Sequence, residues 1–225
     1  MDDVTELEKF RVPSTPPRVY YLPNFITHNE EIYLLGEIKK TPGPRWTQLL
    51  NRRLQNWGGI PHHRGMIAEN IPPWLQCYVD RVNNLNIFGG KKANHVLLNE
   101  YTSGQGIMPH LDGSLFSPTI STISLGSHTV INFYDQDNGE NGLMNPLEKR
   151  LILSLYLEPR SLLVLQEDMY NNYMHGIEEK TKDEYKEYAN FPSQLFEGVL
   201  ERETRYSLTI RHVPKTTKLK IKFGK

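Results

Sequence analysis

Cysteine is almost missing from this chain of 225 residues: Cys77 is the only one. That excludes an internal disulfide framework, and any zinc or iron–sulfur site built on several thiolates. It also suits a reducing compartment. Net charge is missing too, because 26 basic side chains stand against 26 acidic ones. The total therefore does not describe a strongly basic nucleic-acid binder. No run approaches the roughly 18 continuous apolar residues of a membrane span. The acidic opening MDDVTELEKF does not read as a signal or transit peptide. Cytoplasm and nucleus are the expected setting, with no membrane partner. The length suits a single globular unit with one sizeable core.

What is present is unevenly spread. Lys39 to Arg64 holds six Lys or Arg and no acid, and Arg211 to Lys225 holds six more, again without an acid. Glu178 to Glu203 is rich in acids. The basic stretches read either as wet surface or as patches that meet phosphate. ITHNEEIYLLGEIKK predicts a helix, with Thr27 as N-cap and Glu30 completing a capping box. IPPWLQCYVDRV predicts a second, with Leu75, Val79 and Val82 on one face.

After about residue 93 the texture becomes short apolar or alternating segments: NHVLLNEY, VINFY, RLILSLYLE, SLLVLQ, YSLTIR and KLKIKF. This predicts a mainly β barrel or sandwich with a helical N-terminal part. The expected division is 1–92, an extension with helices packed on the core, and 93–225, the β core. Residues 178–203 interrupt that core as an insertion with some helix. The tail KTTKLKIKFGK is expected to be a terminal strand with one wet face.

The stretch NEYTSGQGIMPHLDG carries the chemistry. Strand alternation puts His110 and Asp112 on one face. His175, 63 residues after Asp112, is the candidate third ligand. Two imidazoles and one carboxylate form the facial triad of non-haem iron oxygenases. In RYSLTIR, Arg205 and Arg211 alternate with apolar residues. On an edge strand they stay wet. Pointing inward they need an anion, and a dicarboxylate answers that need bidentately. Asn99 and Tyr101 share a face upstream, where amide and phenol can hydrogen-bond a carboxylate or keto oxygen.

On Asn99-x-Tyr101, GQGIMPHLDG, His175-Gly176 and Arg205-x5-Arg211, the chain resembles the AlkB family of Fe(II)- and 2-oxoglutarate-dependent dioxygenases. The resemblance runs over essentially the whole chain and is tightest from residue 95 to 213. It implies a double-stranded β-helix, the cupin-like jelly roll, with an N-terminal lid over the substrate. It implies Fe(2+) on His110, Asp112 and His175. It implies 2-oxoglutarate, used with dioxygen, on Arg205 and Tyr101 at its distal carboxylate and on Asn99 nearer the metal. Arg211 would lie by the metal-side carboxylate. The implied activity is oxidative demethylation of an alkylated base in DNA or RNA, preferably single-stranded. Other readings are the same chemistry on a protein or small molecule, and a non-catalytic binding module.

In NRRLQNWGG, residues Arg52, Arg53, Gln55 and Trp57 fall where that family carries its lid. Arg52 or Arg53 would meet phosphate, and Trp57 would either stack on a base or anchor the loop to the core. His62, His63 and His128 read as surface or supporting residues. The connection from His175 to Arg205 has 29 intervening residues, longer than in simple AlkB-like domains. Its acids would repel a duplex backbone and offer a surface to a protein partner.

Overall fold

The computed structural model describes residues 6–13, 18–136, 145–184, 188–190 and 198–217. The expected tail strand KLKIKF and the middle of the 178–203 insertion lie outside them. Two of its helices are long. Helix α1 (His28–Lys40) begins at Thr27, whose hydroxyl accepts from the Glu30 N–H while the Glu30 carboxylate accepts from the Thr27 N–H. This reciprocal cap satisfies two donors that a helix start leaves free. Helix α2 (Pro73–Asn83) starts at proline, whose missing N–H costs nothing there. Helices α3 (Leu147–Arg150) and α4 (Asp168–Asn171) are single turns. No described helix is long and apolar enough to cross a membrane.

Sixteen described strands follow in chain order. They are β1 (Val19–Leu22), β2 (Thr47–Leu49), β3 (Arg52–Trp57), β4 (Gly59–Ile60), β5 (Met66–Ala68), β6 (His95–Tyr101), β7 (Ile107–His110) and β8 (Thr119–Leu125). Then come β9 (Thr129–Asp135), β10 (Leu151–Leu157), β11 (Leu162–Gln166), β12 (Tyr173–Ile177), β13 (Lys182–Glu184), β14 (Val199–Glu201), β15 (Arg205–Arg211) and β16 (Thr216–Thr217).

Seven strands form an antiparallel sheet in the order β1-β11-β8-β15-β6-β3-β2, and four form a second in the order β10-β9-β12-β7. From β6 to β15 the chain passes back and forth between the two, which is the topology of a jelly roll. Strand β15 is not an edge. It lies between β8 and β6, and all seven of its residues are buried. Alternation then sends Tyr206, Leu208 and Ile210 to the outer face, where they join Leu34 and Ile38 of α1 and Leu75, Val79 and Val82 of α2 in one apolar cluster. Arg205, Ser207, Thr209 and Arg211 turn inward, between the sheets. The second cluster fills that interior with Ile120, Ile131, Phe133, Leu155, Leu163 and Leu165.

The stretch before residue 92 shares a sheet with the stretch after it. The N-terminal part supplies three of the seven strands: β1 at one edge, and β2 and β3 at the other. The helices pack on the outer face of the larger sheet, and the chain before and after them is woven into that sheet. Of the insertion, the described portion is a β13–β14 ladder. It is tied to the core by a buried cluster in which Arg202 donates two hydrogen bonds to Asp183, at 2.6 and 2.7 Å, and His128 lies 3.1 Å from the same carboxylate. His128 is thus a buried partner of the insertion.

Candidate metal centre and its cavity

His110 ends β7 and His175 lies in β12, and the register of the two strands sets them directly opposite each other. Their ring centroids are 4.6 Å apart. The close approach depends on Gly176. A Cβ there would stand 2.9 Å from the Pro109 nitrogen and 3.0 Å from the Ile107 carbonyl oxygen, both backbone atoms that cannot yield cheaply. Asp112 follows two residues after His110, and one donor atom from each of the three side chains falls within 4.8 Å of the others.

Hydrogen bonds fix how each donor is presented. Nδ1 of His110 is 2.8 Å from the Met108 carbonyl. A carbonyl only accepts, so Nδ1 carries the proton and Nε2 is left with its lone pair. His175 packs beside Phe133. Desolvation pushes its imidazole down to about 4, against the raising effect of Asp112, so it is neutral at ordinary pH. Oδ1 of Asp112 accepts from Arg211 Nη1 at 3.3 Å, while its Oδ2 is buried without a hydrogen-bond partner. One oxygen is held and the other is free to bind.

The triad lines a cavity of about 110 Å³ whose opposite wall is β15 and β6. Arg205 is 4% exposed and has Tyr101 as its register partner. Its Nη2 donates to Ser124 Oγ at 2.8 Å, and its Nε has no partner. Burial pulls the guanidinium down to about 10, which still leaves it charged. Arg211 is buried as well, with its guanidinium 4.0 Å from the centroid of Phe116. Its Nε is also orphaned. Burial lowers its pKa, while Asp112 opposes this. Asn99 faces the same space, and its Oδ1 accepts from Arg52 Nε at 3.2 Å.

A buried carboxylate oxygen without a donor, set between two imidazoles, fits a divalent cation. Two buried guanidiniums with orphaned N–H groups fit an anion. Leaving either unmet costs several kcal/mol. The residues therefore suit a ferrous ion and a carboxylate cosubstrate in one cavity.

The four residues expected on the lid part company. Arg52 lines the cavity. Arg53, Gln55 and Trp57 do not, because alternation along β3 turns them to the outer face. Arg53 grips Glu100 at 2.6 and 2.8 Å and lies over Trp46. Gln55 is fully buried and accepts from the Trp57 indole N–H at 2.9 Å. The Trp57 ring meets Trp74 edge-on. Of the two roles open to Trp57, it fills the anchoring one. His62 and His63 pack against each other with tilted rings and are not part of the triad. Spacing did not reveal Ser124, Phe116 or the Met108 carbonyl. Ser124 could have been reached by reading TISTISL as an alternating strand, whereas Phe116 lies in a loop and leaves no periodic trace.

Fold and donor set together define an iron-dependent oxygenase of the jelly-roll type. Comparison with known sequences specifies it further. A sequence model of the 2OG-Fe(II) oxygenase superfamily matches residues 45–211. A Danio rerio protein described as "Probable RNA/DNA demethylase ALKBH6" is 48% identical over 226 residues, covering 99% of this chain and 97% of its own. The chain belongs to the 2OG-Fe(II) oxygenase superfamily and, within it, to the AlkB family. Its likeness to the homologue 6 group runs the full length. Among solved structures, OsALKBH1 superposes with a TM-score of 0.59 at 14% identity, covering 88% of this chain and 98% of that one. A Pseudomonas putida prolyl-4-hydroxylase gives 0.52 at 11%, covering 86% and 92%. These two speak for the jelly-roll fold alone.

Proposed function

We propose that this protein, in cytoplasm or nucleus, removes alkyl groups oxidatively from a base of single-stranded DNA or RNA. His110, Asp112 and His175 hold ferrous iron. Arg205 and Tyr101 receive the distal carboxylate of 2-oxoglutarate, and Asn99 and Arg211 attend its metal-side end. When bound, iron and cosubstrate supply the oxidation: 2-oxoglutarate and dioxygen become succinate and carbon dioxide as one oxygen atom enters a substrate C–H bond. An N-hydroxymethyl product then separates into formaldehyde and the amine.

The observation that carries this reading is the pairing of orphans in one cavity: Asp112 Oδ2 at one end and the Arg205 Nε at the other. The chain's own residues bind, orient and exclude. Arg211 occupies one oxygen of Asp112 and so directs the other toward the metal. Because Arg52 can only donate, Asn99 must turn its oxygen to Arg52 and its N–H donors into the cavity. The apolar wall of Ile131, Leu157, Leu163 and Leu165 keeps water from the oxidising centre. The name of the Danio rerio relative supports a nucleic-acid substrate.

Anaerobic titration of the ferrous protein with 2-oxoglutarate tests the centre. A visible charge-transfer band is expected in the wild type and is expected to vanish in His110→Ala. Formaldehyde release from methylated single-stranded oligonucleotides, compared with methylated peptides, tests the substrate. Release from peptides alone would refute the nucleic-acid assignment.

A further inference from the structure

The charge inside the cavity constrains which alkylated group can enter. Three guanidiniums line it, those of Arg52, Arg205 and Arg211. Arginine does not deprotonate in proteins, so all three count in full. Asp112 is the only carboxylate lining it among the described residues. The two imidazoles are neutral as ligands. The remaining acids nearby keep their charge but lie outside the cavity lining. Glu100 faces the outer side of the sheet and takes both donors of Arg53. Glu178 accepts from Asn132 at 2.7 Å and pairs with Lys180. Glu179 meets Asn51 at the turn before β3.

The bare cavity therefore holds two positive charges in excess. A ferrous ion adds two and a dianionic cosubstrate removes two, so the excess survives loading. Arg205 and Arg211 lie at the two ends of β15 and are the guanidiniums assigned above to the cosubstrate. Arg52 is the guanidinium left over. Its only side-chain partner among the described residues is the neutral Asn99, and its charge is felt at the Tyr101 phenol. It enters from β3, the strand at whose start the lid turn lies.

We propose that the group this enzyme oxidises sits on an uncharged base, and that Arg52 discriminates against alkylated bases that carry a positive charge. The proposal rests on the nucleic-acid reading above. At an effective dielectric near 20, one like charge within about 8 Å weakens binding on the order of tenfold or more. A neutral base bears no such penalty and can accept a hydrogen bond from the unused guanidinium donors.

The test compares isomers with the same methyl group. N6-methyladenine is neutral near pH 7, and N1-methyladenine is cationic. Each is placed at the centre of the same short single-stranded RNA. Affinity is measured without turnover, on protein loaded with Mn(II) and 2-oxoglutarate, with the unmethylated RNA alongside. The neutral isomer is expected to bind at least about tenfold more tightly. Arg52→Lys keeps the charge and keeps that ratio; Arg52→Gln takes away one of the two excess charges and lowers the ratio at least about threefold. Cosubstrate affinity is titrated in each variant, and any loss through Asn99 lowers both isomers together without moving the ratio. Equal or tighter binding of the cationic isomer to wild type overturns the charge inference. A ratio untouched by Arg52→Gln removes Arg52 from it. If neither isomer binds better than unmethylated RNA, the nucleic-acid reading itself falls.

Discussion

Arg205 offers a prediction in which stability and function move in opposite directions. Its guanidinium is 4% exposed, hydrogen-bonded to the neutral Ser124 hydroxyl, and unpaired with any acid among the described residues. Before cosubstrate binds, the protein holds a buried charge whose desolvation is poorly compensated. Methionine has similar length and no charge. Replacing a buried ion pair by well-packed apolar side chains is often neutral or stabilising by about 1–4 kcal/mol, and a buried charge without its pair has more desolvation to regain. For a chain of this size each kcal/mol is worth about 2–4 °C in Tm. Arg205→Met is therefore expected to melt several degrees above wild type without 2-oxoglutarate. The cosubstrate reverses the order. Truncating one partner of a buried, hydrogen-bonded charge pair costs about 2–5 kcal/mol. That is about 30-fold to several-thousand-fold in Kd. The assay is thermal unfolding of Mn(II)-loaded protein across a 2-oxoglutarate series, with calorimetric affinities in parallel. Wild type should gain Tm with cosubstrate, and the variant should start higher and stay flat. A variant that starts lower yet keeps the cosubstrate-induced shift would refute the reasoning, because Arg205 would then be a structural residue.

Three further perturbations probe the scaffold. Gly176→Ala forces a Cβ onto the backbone of β7, so the two histidines must part; metal affinity should fall at least about tenfold while circular dichroism keeps its β signature. Burial raises the Asp183 pKa, but hydrogen bonds from His128 and Arg202 outweigh it and bring the group to about 2, below its ordinary 3.8. The folded pKa is depressed, so its stabilisation is complete above about pH 4 and is lost as the pH falls toward 2. That loss is about 2 kcal/mol, and urea midpoints measured across that window should show it in wild type and not in Asp183→Asn. Trp57→Phe strips the indole donor from buried Gln55 and should cost about 1–3 kcal/mol in urea unfolding. No loss would mean that Gln55 finds another donor.

Local rules were enough for several features. The Thr27–Glu30 box needs only a hydroxyl and a carboxylate at helical spacing, so α1 begins where the residues say it does. Alternation needs only a strand, so Arg205 and Arg211 share a face whatever surrounds them. His110 closes β7 and Asp112 lies just past its end, so closeness in sequence alone keeps the two together. The His–Asp–His set was thus legible before any fold was known, helped by the AlkB resemblance.

Tertiary structure decided what alternation leaves open, namely which face is inside. β15 became a central strand because β6 and β8 both pair with it, and this turned two arginines from wet residues into buried anion receptors. The same rule divided the lid segment. Arg52 entered the cavity, while Arg53, Gln55 and Trp57, at odd offsets from it, went to the outer face. A contiguous motif cannot show that split without the partner strand β6. His175 meets His110 only through the β7–β12 register, across more than sixty residues of chain. Ser124, Phe116 and the Met108 carbonyl orient the site by contact alone. The residue types that bind are written locally, as donors and charges at short spacing. Their direction, burial and unmet valence come from long-range strand pairing, and no local pattern contains it.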